Sequence, residues 1–265
     1  MGQQDNEIVL LAGLPRTGST LLQNLLAQNP DVYSEGNSGL CTVMWDAKIS
    51  CEHNAAQQLI GVGKDVTFKN ALLKSMPSIY YPDIKGKIIL DKTRTWVNEA
   101  NICMARSYIS EDVKTIVMVR PLEEIVASLV KVSAQNSFDF PYEGLLSEGG
   151  DFLREVHATY FAAKSQDPSF LFVSYDDVVS RTDETLARIY NHIGKEPFAH
   201  NVHQVTQTVF EDDERNNMVG MHDIRPEIAK QANEVVLPDW VKAACENMTH
   251  AIFSEIDGID RAHAA

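Results

Sequence analysis

Short apolar runs alternate with helical patterns of apolar residues over the first three quarters of the chain. Four brief runs predict strands, at residues 8–12, 87–90, 115–119 and 170–174. Each run is continuously apolar, which is typical of strands buried on both faces of a parallel sheet. Apolar residues at helical spacing follow three of the runs, at 21–26, 122–130 and 186–193, and Gly194 predicts the end of the last helix.

This alternation predicts an α/β fold in which helices pack on a parallel sheet. At 265 residues, the chain fits one domain over 1–265. We expect the core motifs within 8–195 and a C-terminal loop with helices over 196–265. Residues 41–80 predict helical and irregular cover, and 135–150 predict a loop. Residues 196–240 have weak periodicity and a cluster of acidic residues, and long connections of this kind often carry substrate contacts.

The charge of the chain limits its partners. With 23 basic and 37 acidic residues, the net charge is −14, so a stripe of Lys and Arg for nucleic acid or an anionic membrane is not expected. Any bound anion must therefore be held by a local site. The four scattered cysteines, an N-terminus unlike a signal peptide and the lack of an apolar run near about 20 residues predict a cytoplasmic protein.

A glycine-containing loop joins the first strand to the first helix. Gly13, Gly18 and Thr20 have the spacing of a P-loop, G-x-x-x-x-G-K-[ST], but Ser19 replaces the lysine. Backbone N–H groups in such a turn converge on an anion. Arg16 supplies a positive charge from within the loop. The sequence thus predicts a P-loop-type three-layer fold, with a loop built for a group shorter than a triphosphate.

Residues 14–22, Leu-Pro-Arg-Thr-Gly-Ser-Thr-Leu-Leu, resemble the 5′-phosphosulfate loop of the sulfotransferase superfamily. The closest form is the PRSGTT type of protein-tyrosine and bacterial or carbohydrate sulfotransferases. The resemblance implies transfer of a sulfuryl group from 3′-phosphoadenosine 5′-phosphosulfate without a metal. It also implies that Arg16 stabilises charge on the departing phosphate. The implied ligands of the 5′-phosphate and bridging oxygens are Arg16, Thr17, Gly18, Ser19 and Thr20.

A second motif follows the strand at 115–119. Arg120 ends this strand and Ser128 lies eight residues later on a predicted helix, which resembles the 3′-phosphate motif of the same family. A guanidinium fork with a hydroxyl suits a phosphate monoester. Tyr175, after the strand at 170–174, either contacts the adenine, as in some relatives, or packs at the sheet edge. Arg225 either adds a charge to the 3′-phosphate or begins a helix.

The catalytic residues are less closely specified. Lys92, in a DK[ST]P-like segment, is implied to contact the transferring sulfuryl group, whereas Arg94 stands where cytosolic relatives have a catalytic histidine. Glu35, after the first helix, matches the base of the protein-tyrosine type, with a solvated loop carboxylate as the alternative. A base of this kind contributes about 10²–10⁴-fold. Further candidates for the base are His53, His203 and His222.

Two other functions remain open from the sequence. One is a nucleotide or small-molecule kinase, for which Asp91 at a strand end would hold a metal. The other is a non-catalytic nucleotide-binding relative, since the usual histidine is replaced by Arg94. The expected acceptor is a small molecule or a carbohydrate, and no His/Cys/Asp spacing predicts a metal site. The sequence leaves a homodimer open.

Overall fold

One parallel sheet forms the centre of the molecule. The structure, a computed structural model, describes residues 6–215, 217–230 and 235–256. Its strands lie in the order β2-β3-β1-β4-β5, and every neighbouring pair is parallel. The chain passes from β1 to the edge strand β2, returns through β3, and crosses to β4 and β5. The bounds are β1 (Glu7–Gly13), β2 (Val32–Asn37), β3 (Ile88–Lys92), β4 (Lys114–Val119) and β5 (Phe170–Ser174).

Helices connect the strands and follow the last one. A π-helical turn, Ser50–Asn54, follows α2, and a 3-10 turn, Arg94–Val97, follows β3. Among the described residues, no helix is long and apolar enough to cross a bilayer. The α-helices are α1 (Ser19–Leu26), α2 (Leu40–Ile49), α3 (Ala56–Gly61), α4 (Asp65–Tyr80), α5 (Glu99–Tyr108), α6 (Leu122–Gln135), α7 (Tyr142–Leu145), α8 (Asp151–Ser165), α9 (Tyr175–Ser180), α10 (Thr182–His192) and α11 (Asp239–Ser254).

Alternate residues of β1 pack against different helices. Leu10 and Ala12 belong to a core with residues of α2, α5, α6, α8 and α11. Val9 and Leu11 belong to a second core with residues of α1, α9 and α10. Successive strand residues point to opposite faces of a sheet, so these two cores lie on its two sides. The predicted three-layer α/β fold is confirmed.

Several elements differ from the sequence predictions. Strand β2 was not predicted, because Val32–Asn37 is largely polar and only partly buried, and it forms by pairing with β3. Glu35 therefore lies on a strand and not on a loop. The predicted loop at 135–150 contains the short helix α7, and β3 continues beyond residue 90 to Lys92. In the described part of 196–265 there is one helix, α11, where the prediction had several.

The predicted motifs meet at the carboxyl edge of the sheet. The glycine-containing loop follows β1, Lys92 ends β3, Arg120 follows β4 and Tyr175 follows β5. The carboxyl ends of parallel strands lie at one edge of the sheet. After β1 the chain adds β2 and β3 on one side of this strand, and then β4 and β5 on its other side. Ligands of open α/β sheets bind at the point where the strand order changes direction in this way. The topology thus brings together residues that are far apart in sequence.

Candidate functional site

The loop between β1 and α1 has a backbone that few residues adopt. Gly18 has φ +86° and Arg16, although it carries a side chain, has φ +64°. Thr17 is buried and its hydroxyl donates to the carbonyl oxygen of Leu14 at 2.8 Å. No side chain in the described chain caps the N-terminus of α1 at Gly18. The first N–H groups of α1 are therefore available to an anion. The side chain of Thr17 stabilises the loop through its hydrogen bond to Leu14.

Arg16 and Arg120 join the two predicted anion sites. The Nε of Arg16 donates to Oγ of Ser128 at 3.0 Å. The Nη1 of Arg120 donates to the carbonyl oxygen of Arg16 at 3.1 Å, while its Nε pairs with Glu124 at 2.9 Å. The contacts of Arg16 with Ser128 and Arg120 link positions more than 100 residues apart. The structure thus brings the residues of the two predicted anion motifs into direct contact.

Tyr175 lies between the loop and Arg120. The Cζ of Arg120 stands 4.3 Å from the centroid of its ring, a cation–π contact. A Cβ added to Gly18 would lie 2.6 Å from the Cδ2 of Tyr175, so the backbone of Gly18 packs directly on this ring. The ring of Tyr175 thus packs on the loop and on Arg120, and its contact with the adenine stays a prediction.

Lys92 carries a buried positive charge beside the loop. It is 5% exposed, and its Nζ lies 3.4 Å from Oγ1 of Thr20 and 2.5 Å from Oε1 of Glu211. Burial lowers the pKa of Lys92, and the charge of Glu211 opposes that shift. An ammonium group held this way interacts strongly with any anion that replaces Glu211, because few waters screen it.

The electrostatics of Arg16 indicate a site for an anion. Burial lowers the pKa of Arg16, and repulsion by Arg120 lowers it further. The carboxylates of Asp213 and Asp223 act in the opposite direction. Two guanidinium groups that repel each other in a half-buried position gain when a multiply charged anion binds between them.

An acidic segment faces these cations, and we use this name for residues 210–223 apart from 216. Glu211 packs against Gly36 of β2. A Cβ added to Gly36 would lie 2.4 Å from the Cγ of Glu211. Nδ1 of His222 lies 2.5 Å from Oδ1 of Asp213, and Nε2 lies 3.4 Å from Oε2 of Glu211. Neither Glu211 nor Asp213 was predicted from the sequence. The cluster of acidic residues in 196–240 was the available signal, but nothing local related it to Lys92.

Comparison with known proteins decides the family. The model of the sulfotransferase family matches residues 9–199. The chain belongs to the sulfotransferase family. The sulfotransferase domain of the olefin synthase from Synechococcus PCC 7002 has 16% identity and a TM-score of 0.58, with 96% of each chain covered. This likeness shows the shared fold.

Two more distant structures also resemble this sulfotransferase. STF9 from Mycobacterium avium has 12% identity and a TM-score of 0.48, covering 95% of this chain and 77% of its own. The sulfotransferase domain from the curacin biosynthetic pathway has 18% identity and a TM-score of 0.47, covering 75% of this chain and 76% of its own. No protein with a curated description matches the sequence.

Glu35 makes its hydrogen bonds with other residues than the buried lysine of this sulfotransferase. Its carboxylate accepts a hydrogen bond from the hydroxyl of Tyr33 at 3.0 Å, and its carbonyl oxygen accepts one from Gln23 at 2.6 Å. Burial and the bond to Glu35 raise the pKa of Tyr33. Within the described chain, no hydrogen bond or ion pair joins Glu35 to Lys92. Its role as the base stays a prediction.

Asp91 holds the fold together, and its contacts do not fit the metal ligand of a kinase. Its Oδ2 accepts hydrogen bonds from Ser38 and Tyr81, both at 2.7 Å, and its Oδ1 accepts one from Nε1 of Trp96 at 2.7 Å. Burial raises the pKa of Asp91, and these three donors oppose that shift. Both oxygens are already bonded inside the core. Among the described residues, no group of His, Cys, Asp and Glu could hold a metal ion.

The remaining predicted residues lie outside the contacts just described. Arg225 is exposed, and in the described chain it makes no hydrogen bond or ion pair to Arg16 or Arg120. Its neighbours Ile224 and Pro226 pair with Gln207 and Val205. Ser19 is half-buried at the start of α1. His53 and His203 are exposed, so of the three candidate histidines only His222 reaches the site. The role of Arg225 stays a prediction.

Proposed function

We propose that the protein transfers a sulfuryl group from 3′-phosphoadenosine 5′-phosphosulfate to a hydroxyl or amine of a small-molecule or carbohydrate acceptor. The observation that carries this proposal is the contact between the two anion motifs, through Arg16, Ser128 and Arg120. A donor with phosphate groups on the 5′ and 3′ positions of one ribose needs two neighbouring sites. One phosphate site alone would suit many ligands.

In this proposal the 5′ end of the donor binds the loop and the 3′-phosphate binds the second motif. The N–H groups from Thr17 to Thr20 and the side chain of Arg16 hold the 5′-phosphate and the bridging oxygen. Arg120 and Ser128 hold the 3′-phosphate. The ring of Tyr175 forms the wall between the two sites.

Positive charge for the transfer comes from side chains. Lys92 contacts the oxygens of the sulfuryl group, and Arg16 neutralises charge on the departing phosphate. By analogy with phosphoryl transfer, positioning and charge neutralisation account for most of the catalysis. A sulfuryl group carries less negative charge than a phosphoryl group, which is why we infer that Lys92 and Arg16 suffice. Glu35 is the proton acceptor that the sequence predicts.

The experiment is calorimetry with the product, adenosine 3′,5′-bisphosphate, in the absence of Mg²⁺. We expect binding, and tighter binding than for adenosine 5′-monophosphate, because the monophosphate leaves Arg120 without its phosphate. Arg120→Ala should remove most of this difference, about 10–100-fold, since a hydrogen bond to a charged group contributes about 1.5–3 kcal/mol. Arg154→Ala, an exposed arginine on α8, is the matched control. Mg²⁺-dependent binding of ATP, with none of the bisphosphate, would contradict the proposal and favour the kinase.

Turnover separates an enzyme from a nucleotide-binding relative. A panel of hydroxyl and amine compounds is incubated with the phosphosulfate, and the sulfated products are detected by mass spectrometry. Lys92→Ala should lower turnover by about 100-fold or more, as expected when a charge aimed at the reacting group is lost, and should affect bisphosphate binding less. Full turnover in Lys92→Ala would show that its assigned role is wrong. Bisphosphate binding without any sulfated product would favour the non-catalytic relative.

A further inference from the structure

An aspartate–histidine pair in the acidic segment reaches the site through one carboxylate. Asp213 accepts two hydrogen bonds from His222, one from its backbone N–H at 2.9 Å and one at Nδ1 at 2.5 Å. The pair is mostly buried, with 21% of the His222 side chain and 12% of the Asp213 side chain exposed. Two bonds to one carboxylate fix both the position and the rotation of the imidazole ring.

These bonds also determine which ring nitrogen carries the hydrogen. An ionised carboxylate only accepts hydrogen bonds, so Nδ1 of His222 must be the protonated nitrogen. Nε2 has a free electron pair only in the neutral ring, once the carboxylate of Glu211, 3.4 Å away, no longer faces it. The carboxylate of Asp213 would also stabilise the positive ring that forms when Nε2 takes a proton.

Nε2 of His222 faces the carboxylate of Glu211, which also contacts Lys92. Nε2 lies 3.4 Å from Oε2 of Glu211, whose Oε1 lies 2.5 Å from Nζ of Lys92. Lys92 in turn lies 3.4 Å from Thr20 of the loop. The carboxylate of Glu211 thus places two anionic oxygens between Lys92 and His222. This is the place that the oxygens of a sulfuryl group would take beside Lys92.

On the basis of the proposed function, we propose that His222 takes the proton of the acceptor, with Asp213 as its positioning residue. The sulfuryl oxygens replace Glu211 at Lys92, and the acceptor hydroxyl binds at Nε2 of His222. Its proton moves to Nε2 and its oxygen bonds to sulfur. The bond from sulfur to the bridging oxygen breaks, and its electron pair stays on the 5′-phosphate of the departing bisphosphate.

The contacts of His222 and Glu35 differ. Nε2 of His222 faces the carboxylate of Glu211, which in turn contacts Lys92. Glu35 accepts a hydrogen bond from Tyr33 and, among the described residues, makes no hydrogen bond or ion pair with Lys92. His222 is thus linked to Lys92 through a single carboxylate.

The first test measures the tautomer of His222 and needs no acceptor. Two-bond ¹⁵N–¹H spectra of the histidine side chains at alkaline pH, assigned with His222→Gln, should show a protonated Nδ1 and a bare Nε2. Asp213→Asn should reverse this pattern. The amide oxygen would accept from the backbone N–H of His222, and the amide nitrogen would then donate to Nδ1. A protonated Nε2 in the unaltered protein would overturn the proposal.

The second test measures turnover and binding in the same variants. His222→Gln should lower the release of bisphosphate from the phosphosulfate, with the acceptor from the panel or with water, by about 10²–10⁴-fold. It should also remove the fall in rate at acid pH. Asp213→Asn should lower turnover as well, and His222→Gln should bind the bisphosphate normally. His250→Gln, an exposed histidine on α11, is the matched control.

The outcomes separate this inference from the proposed function. If the unaltered protein binds no bisphosphate, the proposed function fails, and the inference fails with it. If binding is normal and His222→Gln keeps full turnover with an unchanged pH profile, only the role of His222 is wrong. Loss of turnover in Glu35→Gln, with His222→Gln unaffected, would assign the proton to Glu35 instead.

Discussion

The cations of the site and the anions that face them are held by different kinds of structure. Arg16, Lys92 and Arg120 lie at or directly after the ends of hydrogen-bonded parallel strands. The acidic segment has no helix or strand among its described residues, and side-chain contacts attach it to the rest of the molecule. One is the reciprocal pair between Asn136 and the backbone of Val219, and another is the bond from Gln207 to the carbonyl of His222.

We call the cations at the strand ends the rigid half of the site and the acidic segment its adaptable half. The difference in how they are held indicates that the acidic segment can change position when a ligand binds. Segments held by few backbone hydrogen bonds open at a lower free energy than strands in a sheet. We therefore expect the cations to stay in place when the donor binds, and Glu211 to leave Lys92.

The largest effect is expected for Gly18→Ala, in the rigid half. The new Cβ would meet Tyr175 at 2.6 Å, and the backbone at φ +86° disfavours any side chain. We expect the free energy of unfolding to fall by about 2 to 4 kcal/mol, from backbone strain and overpacking together. Bisphosphate affinity should fall by about 100-fold, because the loop must move. Denaturant unfolding and calorimetry measure the two effects.

Gly63→Ala is the control for the first prediction. Gly63 has a similar φ of +67°, but an added Cβ there would meet nothing within 4 Å. Its substitution should cost only the backbone strain, about 1 to 2 kcal/mol, and leave binding unchanged. Equal losses in the two variants would show that contact between the loop and Tyr175 is unimportant.

An intermediate effect, of opposite sign, is expected for Glu211→Gln in the adaptable half. The variant replaces the buried carboxylate beside Lys92 with a neutral amide. Removing one negative charge near the ligand lowers repulsion, which is strong where few waters screen it. We expect bisphosphate affinity to rise by about 3- to 10-fold, measured by calorimetry at constant ionic strength.

Glu214→Gln makes the same change on an exposed residue of the same segment. It should alter the affinity little, because salt screens exposed charges. Reduced affinity in Glu211→Gln would mean that Glu211 helps to hold the ligand and does not compete with it. The acidic segment would then not be the displaceable half of the site.

The smallest effect is expected at Glu52, which belongs to neither half. Hydrogen bonds from Lys48 and Lys69 lower its pKa to about 2. A lowered carboxyl pKa adds stability above the ordinary value of 4.5, and this stability is lost as the pH falls through about 2. Glu52→Gln should therefore lower the free energy of unfolding at neutral pH by less than about 1 kcal/mol. Calorimetric unfolding between acid and neutral pH measures the effect, and a change in bisphosphate affinity would contradict it.

The sequence identified the residues of the cationic half but not their contacts. The resemblance to sulfotransferase motifs singled out Arg16, Arg120 and Lys92, and their roles stay predictions. The ends of parallel strands meet at one edge whatever the loops between them do, so these residues were expected on one side of the sheet. The contact between Arg120 and Arg16, 104 positions apart, is seen only in the structure.

The acidic half could not be predicted, because its position depends on contacts with no local signature. Glu211 reaches Lys92 only through the path of an irregular segment, and the cluster of acidic residues resembles any solvated surface. Strand β2 was missed for a related reason. Its polar residues form a strand because β3 offers a free edge, so tertiary pairing decides the structure of the segment that carries Glu35.

The ring of Tyr175 touches both predicted anion motifs. An added Cβ on Gly18 would meet the ring at 2.6 Å, and the guanidinium of Arg120 lies 4.3 Å from its centroid. A movement of the ring would therefore disturb both motifs at once. We expect a substitution of Tyr175 to change the binding of phosphate groups at both motifs together.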